Sequence, residues 1–260
     1  MARKTNHSSL RERDILDELR RAGGSSRIQF LADQLKISDE TVRRNIRNLE
    51  QTGHVKKVHG GVYLMEESAE PPLYSRMNTK AEAKRKIATE VARMVRNGDS
   101  LFLDTGSTTA YIAAALQDHL DLFVVTNSLT VAQSLATRNN NRVYFAGGLL
   151  RSHDGGSFGL EAADFVRKFR VQYAFFSVGA INADQGFMLH DHEEAEFARQ
   201  IARQATMRIV VADSSKFGRT APMILDAASH YHCLVTDADP PADIADVLRK
   251  TGMDIRIAGQ

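Results

Sequence analysis

The sequence predicts an α/β protein in two parts: a small basic helical head, then a larger domain in which strands and helices alternate. Three observations carry that expectation. Residues 39–49 place Val42, Ile46 and Leu49 at helical spacing and leave basic and polar residues on the other faces. Residues 100–237 hold six apolar, partly β-branched runs of strand length, with helical stretches between several of them. Glu66-Glu67-Ser68-Ala69-Glu70-Pro71-Pro72 is acidic and proline-paired, which favours extended chain. The expected division is therefore a head at 1–65, a linker at 66–79 and a body at 80–260.

A chain of 260 residues can bury two separate cores. Its 43% hydrophobic and 25% charged residues are those of an ordinary water-soluble protein. No apolar run approaches the length of a bilayer span, so no membrane partner is expected. The single cysteine, Cys233, excludes an intrachain disulfide, favours a reducing, cytoplasmic setting and reads as strand packing rather than a nucleophile. Charge is uneven. Residues 1–65 carry 13 Lys or Arg against 8 Asp or Glu, +5, and the remainder carries 21 against 24, −3. A basic head on a slightly acidic body points to a polyanion partner for the head.

Within the head, Arg11 to Ala22 reads as a helix with Ile15, Leu16 and Leu19 inward, closed by Gly23-Gly24. Ile28 to Leu35 reads as a second helix with Phe30, Leu31 and Leu35 available for packing. Lys36-Ile37-Ser38 turns into the third, where Ser38 is the expected N-cap and Asp39 and Glu40 suit the positive helix end. Thr41, Arg44, Asn45 and Asn48 are expected on an outward face flanked by Arg43 and Arg47. Two short helices joined this way form a helix-turn-helix. The period-two run Val55 to Tyr63 reads as a hairpin wing turning at Gly60-Gly61. Ser38, Thr41, Arg43, Arg44, Asn45, Arg47 and Asn48 are the expected contacts with double-stranded DNA, with Lys56, Lys57 and His59 on the phosphates beside the groove. The other reading of residues 39–49 alone is a solvated basic helix face.

The body begins with a helix over Lys80–Arg96, its buried stripe being Ala83, Ile87, Val91 and Val95. Strands are expected at Ser100–Asp104, Leu122–Asn127, Arg142–Gly147, Val171–Val178, Met207–Asp213 and His232–Asp237. Helices are expected at Thr109–Gln117, Leu129–Arg138, Glu161–Phe169, Glu193–Ala205 and Ala242–Thr251. Such alternation implies a mainly parallel sheet, and ligands of such sheets bind beyond the carboxyl ends of the strands. Polar residues gather at those ends. Asp104, Thr105, Gly106, Ser107, Thr108 and Thr109 run straight into a helix, a place for a phosphate, or simply an ordinary capped helix start. No lysine follows at P-loop spacing, so this is not a nucleotide loop. Asn127, Gly147-Gly148 and Asp213 to Arg219 lie at other ends, with Lys216 and Arg219 as cations.

Leu31-Ala32, Leu35, Ile37-Ser38, Thr41 to Arg44, Leu49-Glu50, Gly53 and His59 to Gly61 keep a spacing that resembles the DeoR family of transcription regulators. Asn45 departs from it, since the family usually carries an aspartate there, which bears on the operator sequence rather than on docking. Asp104 to Thr109, Thr126-Asn127, Gly147-Gly148, Asp213 to Gly218 and Thr236-Asp237 resemble the family's sensor domain, related in fold to ribose-5-phosphate isomerases and CoA transferases. The resemblance implies a repressor of carbohydrate or polyol catabolism released by a phosphorylated sugar or polyol. Ala146 to Gly156, Ser214 to Arg219 and Thr236 to Pro241 point within the family to glycerol 3-phosphate. The implied grip is Ser107, Thr108, Thr109 and Lys216 on the phosphate, with Asp104 and Asn127 on hydroxyls and Gly106, Gly147 and Gly148 allowing close approach. Symmetric half-sites imply a homo-oligomer, a dimer or a tetramer.

Two alternatives stand beside it. An activator sensing another phosphate would carry the same head. An isomerase-like enzyme would need a placed carboxylate base, for which Asp184, Glu193 and Glu194 are the candidates. Val178-Gly179-Ala180-Ile181-Asn182 has none where the isomerases carry an acidic cluster, so no catalytic residue and no cofactor is expected. His190-Asp191-His192-Glu193-Glu194 reads as a polar loop entering a helix rather than a metal site.

Overall fold

The computed structural model describes residues 3–22, 25–58, 61–64 and 71–259. Two compact units divide the chain, Met1–Arg76 and Met77–Gln260. No helix among the described residues is long and apolar enough to cross a membrane.

The first unit contains α1 (Arg3–Arg21), β1 (Ser25–Arg27), α2 (Ile28–Leu35), α3 (Asp39–Gln51), β2 (Val55–Val58) and β3 (Gly61–Leu64). Ile15 and Leu19 of α1, Leu31 of α2 and Val42, Ile46 and Leu49 of α3 close one core with Val55 and Val62 of the hairpin. Helix α1 starts well before Arg11, because its first turns are polar and offer no apolar period to read. Gly23-Gly24, His59, Gly60 and Glu66 to Glu70 lie outside the described residues. Phe30 is 47% exposed and does not pack; Ile28, Leu31 and Ala32 take the inner face instead. The turn before α3 closes with Lys36 in the left-handed region (φ 52°), where the Ile37 N–H reaches the Ala32 carbonyl at 3.0 Å. Strand β1 has no sequence signal of its own. It adds a third strand to the wing, antiparallel to β3 with Arg27 opposite Gly61.

Helix α4 (Leu73–Asn78) falls in the stretch read as linker and spans the division between units. The second unit then runs α5 (Ala81–Met94), β4 (Ser100–Leu103), α6 (Ser107–Ala115), β5 (Phe123–Thr126), α7 (Leu129–Leu135), β6 (Arg142–Phe145), α8 (Gly159–Val166) and β7 (Val171–Ser177). After these come β8 (Ala180–Asn182), β9 (Gly186–Leu189), α9 (His192–Ala202), β10 (Ala205–Val211), β11 (Met223–Ile224), β12 (Cys233–Thr236), α10 (Ala242–Lys250) and β13 (Asp254–Ile257). Seven strands form one sheet in the order β13-β12-β10-β7-β4-β5-β6, every pair parallel. Its two faces bury separate apolar clusters, with Phe102, Phe176 and Val210 on one and Leu101, Phe175 and Val211 on the other, the period of two expected of a strand covered on both sides.

All six expected strands are present. The seventh, β13, is an edge whose Asp-Ile-Arg-Ile alternation has little apolar content to read. A three-stranded antiparallel sheet, β11-β9-β8, follows β7 and was not expected. In α5 the buried positions are Lys84, Ile87, Ala88 and Val91, while Ala83 is only half-buried.

The chain builds β4, β5 and β6 outward to one edge, then crosses back to lay β7 on the other side of β4. The carboxyl ends of β4 and β7 therefore flank the point where strand order reverses, the crevice in which doubly wound sheets bind ligands. Ile46 has no accessible surface in the head core. Ile46→Ala is expected to cost about 2–5 kcal/mol, read by chemical denaturation of the full chain; an unchanged transition would mean that α3 is not seated on this core.

Candidate functional site

In the head, Ser38 caps α3 by accepting the Thr41 N–H at 3.3 Å, and its hydroxyl meets that of Thr41 at 2.9 Å. Arg43, Arg44, Arg47 and Asn48 are exposed, and Asn48 Nδ2 donates to Glu12 Oε1 of α1 at 3.2 Å. Asn45 corrects the sequence reading. It is 3% exposed, and its Nδ2 donates to the Thr41 carbonyl at 2.7 Å. Four residues before Leu49, it stands only ~40° round the helix from that core residue, so in the free chain it lines the core edge rather than the outer face. Lys56 and Lys57 are exposed on β2. The wing is tied to α3 by Glu50, whose Oε1 accepts the Lys57 N–H at 2.9 Å. Burial first, and then the Glu50 charge, push the Tyr63 phenol up from its ordinary value. Exposed cations of this kind on α3 and β2 suit phosphates and base edges.

In the body, Asp104 follows β4 and its carboxylate crosses the reversal point. Its Oδ2 accepts the Ser177 N–H at 2.8 Å and its Oδ1 the Ser177 hydroxyl at 3.3 Å. Gly106 is required there because an added Cβ would stand 2.1 Å from Ser177 Oγ. Helix α6 then starts with no side-chain cap, so the first-turn N–H groups of Ser107, Thr108 and Thr109 have no acceptor from that source. Thr109 is not a phosphate ligand through its hydroxyl. It has no accessible surface, and that hydroxyl donates to the Asp104 and Gly106 carbonyls at 2.9 and 3.0 Å, fixing the turn. Ser107 and Thr108 are also buried in this structure.

At the next end, Thr126 donates to the Leu103 carbonyl at 2.7 Å and accepts the Ser128 N–H at 3.0 Å, holding the β5 turn to β4. Asn127 and Ser157 are paired twice. The Ser157 N–H meets the Asn127 carbonyl at 2.9 Å, and Asn127 Nδ2 donates to the Ser157 carbonyl at 3.1 Å. Residues 147–158 thus form a strap folded back on the turn after β5, with further bridges from Ser128 to Gly156 and Leu150 to Ser157. Gly148 is left-handed (φ 133°) at its start, where a Cβ would also meet Ser157 Oγ at 3.0 Å; Gly147 has open space beside it.

Arg151 pins the strap. Its guanidinium binds Asp154 through Nε at 3.1 Å and a second nitrogen at 2.5 Å, reaches Glu194 at 3.0 Å and Asp191 at 3.1 Å, and lies 4.1 Å from the centre of the Phe158 ring. Burial alone would raise the Asp154 carboxyl; the hydrogen bonds and charge of Arg151 overcome it and hold the group below its ordinary value. Sequence reasoning missed this network because two of the three carboxylates, Asp191 and Glu194, lie about forty residues from Arg151. Asp191 also caps α9 by accepting the Glu194 N–H at 3.0 Å, so the acidic run after His190 belongs to a helix start and the strap anchor. Of the three carboxylates weighed as a base, Asp184 and Glu193 are exposed and Glu194 is held by Arg151.

Beyond β10, Asp213 accepts from the Ser215 N–H and hydroxyl and leads a single turn, Ser214–Lys216, in which Lys216 is half-buried. Asp237 after β12 accepts the Ser214 N–H at 2.6 Å. Arg219 is exposed, and its carbonyl accepts from Asn182. A further cation was not legible in sequence. Lys84 of α5 is buried, with Nζ 2.6 Å from the Thr79 carbonyl and 4.0 Å from Asp213 Oδ2. Helix α5 packs on both α6 and β12, which brings this charge over the carboxyl ends of the sheet. Thr105 Oγ1, Asn127 Oδ1 and Ser157 Oγ are buried without a hydrogen-bond partner among the described residues.

Residues 11–68 match the family model of a DeoR-like helix-turn-helix domain, and residues 79–238 that of the DeoR C terminal sensor domain. The chain is 34% identical to the glycerol-3-phosphate regulon repressor of Escherichia coli, over 89% of this chain and 92% of that one. It is also 34% identical to the transcriptional repressor CsqR of the same organism, over 89% of each. With the putative aga operon transcriptional repressor of Escherichia coli O157:H7 it shares 27% over 99% of this chain and 97% of that one. Among solved structures, ribose 5-phosphate isomerase A of Methanocaldococcus jannaschii aligns at a TM-score of 0.40 and 18% identity. That alignment covers 54% of this chain and only about half, 55%, of the isomerase.

The contact of Gly106 with Ser177 gives a reciprocal test. Gly106→Ala is expected to lower the melting temperature of the body, and to lower it less when Ser177 is already replaced by Gly. Purely additive losses would place the clash elsewhere.

Proposed function

Because the chain belongs to the DeoR family of transcriptional regulators, and is a repressor rather than an enzyme, we propose that it acts in the cytoplasm on carbohydrate or polyol catabolism genes and leaves its operator when a phosphorylated ligand binds, glycerol 3-phosphate foremost. The observation that supports this reading best is the uncapped start of α6 at the reversal point of the sheet, beside Asp104 and Gly106. Helix-start N–H groups suit a phosphate. The Ser107 and Thr108 hydroxyls, Lys84 and Lys216 add donors and charge from the same carboxyl edge, and the Asp104 carboxylate suits a hydroxyl. The repressor CsqR and the aga operon repressor are similar enough that another phosphate ester is the second reading.

On DNA, Arg43, Arg44 and Arg47 with Thr41 and Asn48 meet the major groove, Lys56 and Lys57 the phosphates, and a homo-oligomer presents two heads to a two-fold operator. The ligand need only favour the released arrangement, by a coupling of about 1–3 kcal/mol, and DNA then weakens the ligand by the same factor.

The deciding experiment measures binding to DNA upstream of glycerol-catabolism genes at fixed salt, with and without glycerol 3-phosphate. Specific binding lost on adding the ester is the expected result; specific binding that ignores it sends the assignment to other phosphate esters. Arg44→Ala should reduce the preference for operator over random DNA by about 1–3 kcal/mol, whereas an equal loss on both would make Arg44 a backbone contact. Lys216→Ala is expected to keep operator affinity and lose release by the ester, and normal release would remove Lys216 from the site.

A further inference from the structure

The helix start and the cations account for the charged end of a phosphate ester, and leave three neutral groups unexplained. Thr105 Oγ1, Asn127 Oδ1 and Ser157 Oγ are each buried, on residues no more than 2% exposed, and none has a hydrogen-bond partner. All three lie where the strap of residues 147–158 meets the ends of β4 and β5. A Cβ on Gly156 would stand 2.9 Å from Thr105 Oγ1, and one on Gly148 3.0 Å from Ser157 Oγ, so both hydroxyls abut strap backbone at residues with no side chain. Asn127 is oriented without ambiguity, because its Nδ2 donates to the Ser157 carbonyl and its Oδ1 is the atom left over.

The chemistry of the trio differs from that of the α6 start. None of the three carries charge. A carbonyl oxygen accepts and cannot donate, so Asn127 Oδ1 is repelled by a phosphate dianion and is satisfied by an O–H or N–H. The two hydroxyls both donate and accept. Thr105 lies within the turn Asp104-Thr105-Gly106 that leads into α6, so these groups continue the proposed phosphate site on its uncharged side.

We propose that Thr105, Asn127 and Ser157 form the subsite for the hydroxylated end of the effector, with the strap as its wall. This rests on the effector reading given under Proposed function and deepens it. The strap explains why the groups are buried in this structure. It is closed by the double pairing of Asn127 with Ser157, by the Leu129 N–H on the Gly155 carbonyl at 3.1 Å, and by Arg151 on Asp154 and Glu194. A ligand reaches the three atoms by displacing the strap, and supplies the partners they lack. An ester with hydroxyls on adjacent carbons is then preferred over phosphate alone.

The test is calorimetric titration of the full chain with inorganic phosphate, glycerol 3-phosphate and fructose 6-phosphate. Thr105→Val keeps the shape of the side chain and removes its hydroxyl; Ser157→Ala removes the other, and the pair guards against one variant failing to fold. The parent is expected to bind one of the esters more tightly than inorganic phosphate. Each variant is expected to weaken that ester about three- to tenfold, the worth of one neutral hydrogen bond, and to leave inorganic phosphate unchanged. Equal weakening of ester and inorganic phosphate would make these groups part of the anion grip or of the fold and overturn the subsite, as would ester binding untouched in both variants or a parent that binds esters no better than phosphate. A parent that binds none of the three would instead fail the effector reading itself, and the subsite with it.

Discussion

The body depends on one contact, the Asp104 carboxylate at the end of β4 accepting the N–H and hydroxyl of Ser177 at the end of β7. These strands are neighbours in the sheet but far apart in sequence, and the chain visits β5 and β6 between them. The contact ties the two strand ends together at the reversal point. Gly106 then passes Ser177 at a distance no side chain tolerates, and α6 begins without a side-chain cap.

Around that contact the polar side chains divide by role. Thr109 and Thr126 spend their hydroxyls on backbone carbonyls and hold the turns in place. Lys84 and Asp213 bring opposite charges into the interior at 4.0 Å, where each lowers the cost of burying the other. Arg151, with three carboxylates and an aromatic ring around it, anchors the strap to the start of α9. In the head, Glu50 does the comparable task of fixing wing against helix, leaving the arginines of α3 exposed.

The sequence made much of this legible, and the exceptions have physical causes. Helix α3 and the strands β4, β5, β6, β7, β10 and β12 were readable because a regular element packed on a core leaves a period of 3.6 or 2. Strands β1 and β13 were not, since a three-residue polar edge and an alternating charged edge carry almost no apolar signal. Asn45 was misplaced because a polar side chain beside a core stripe looks the same whether it faces solvent or bonds back to the preceding turn, as it does here with Thr41. Gly106 and Asp104 stood out by their neighbours in sequence. Lys84 and Ser157 did not, because a lysine on a helix or a serine in a glycine-rich loop reads as exposed unless the tertiary partner is known. Those partners are Asp213 and Asn127, more than a hundred residues and thirty residues away.

The central claim is that a phosphate ester sits on the first turn of α6 at the reversal point of the sheet. A crystal structure of the chain grown with a binding phosphate ester tests it most directly. The account predicts phosphate oxygens within hydrogen-bond distance of the Ser107, Thr108 and Thr109 amides. A phosphate bound elsewhere, with the α6 start facing only solvent, would contradict it.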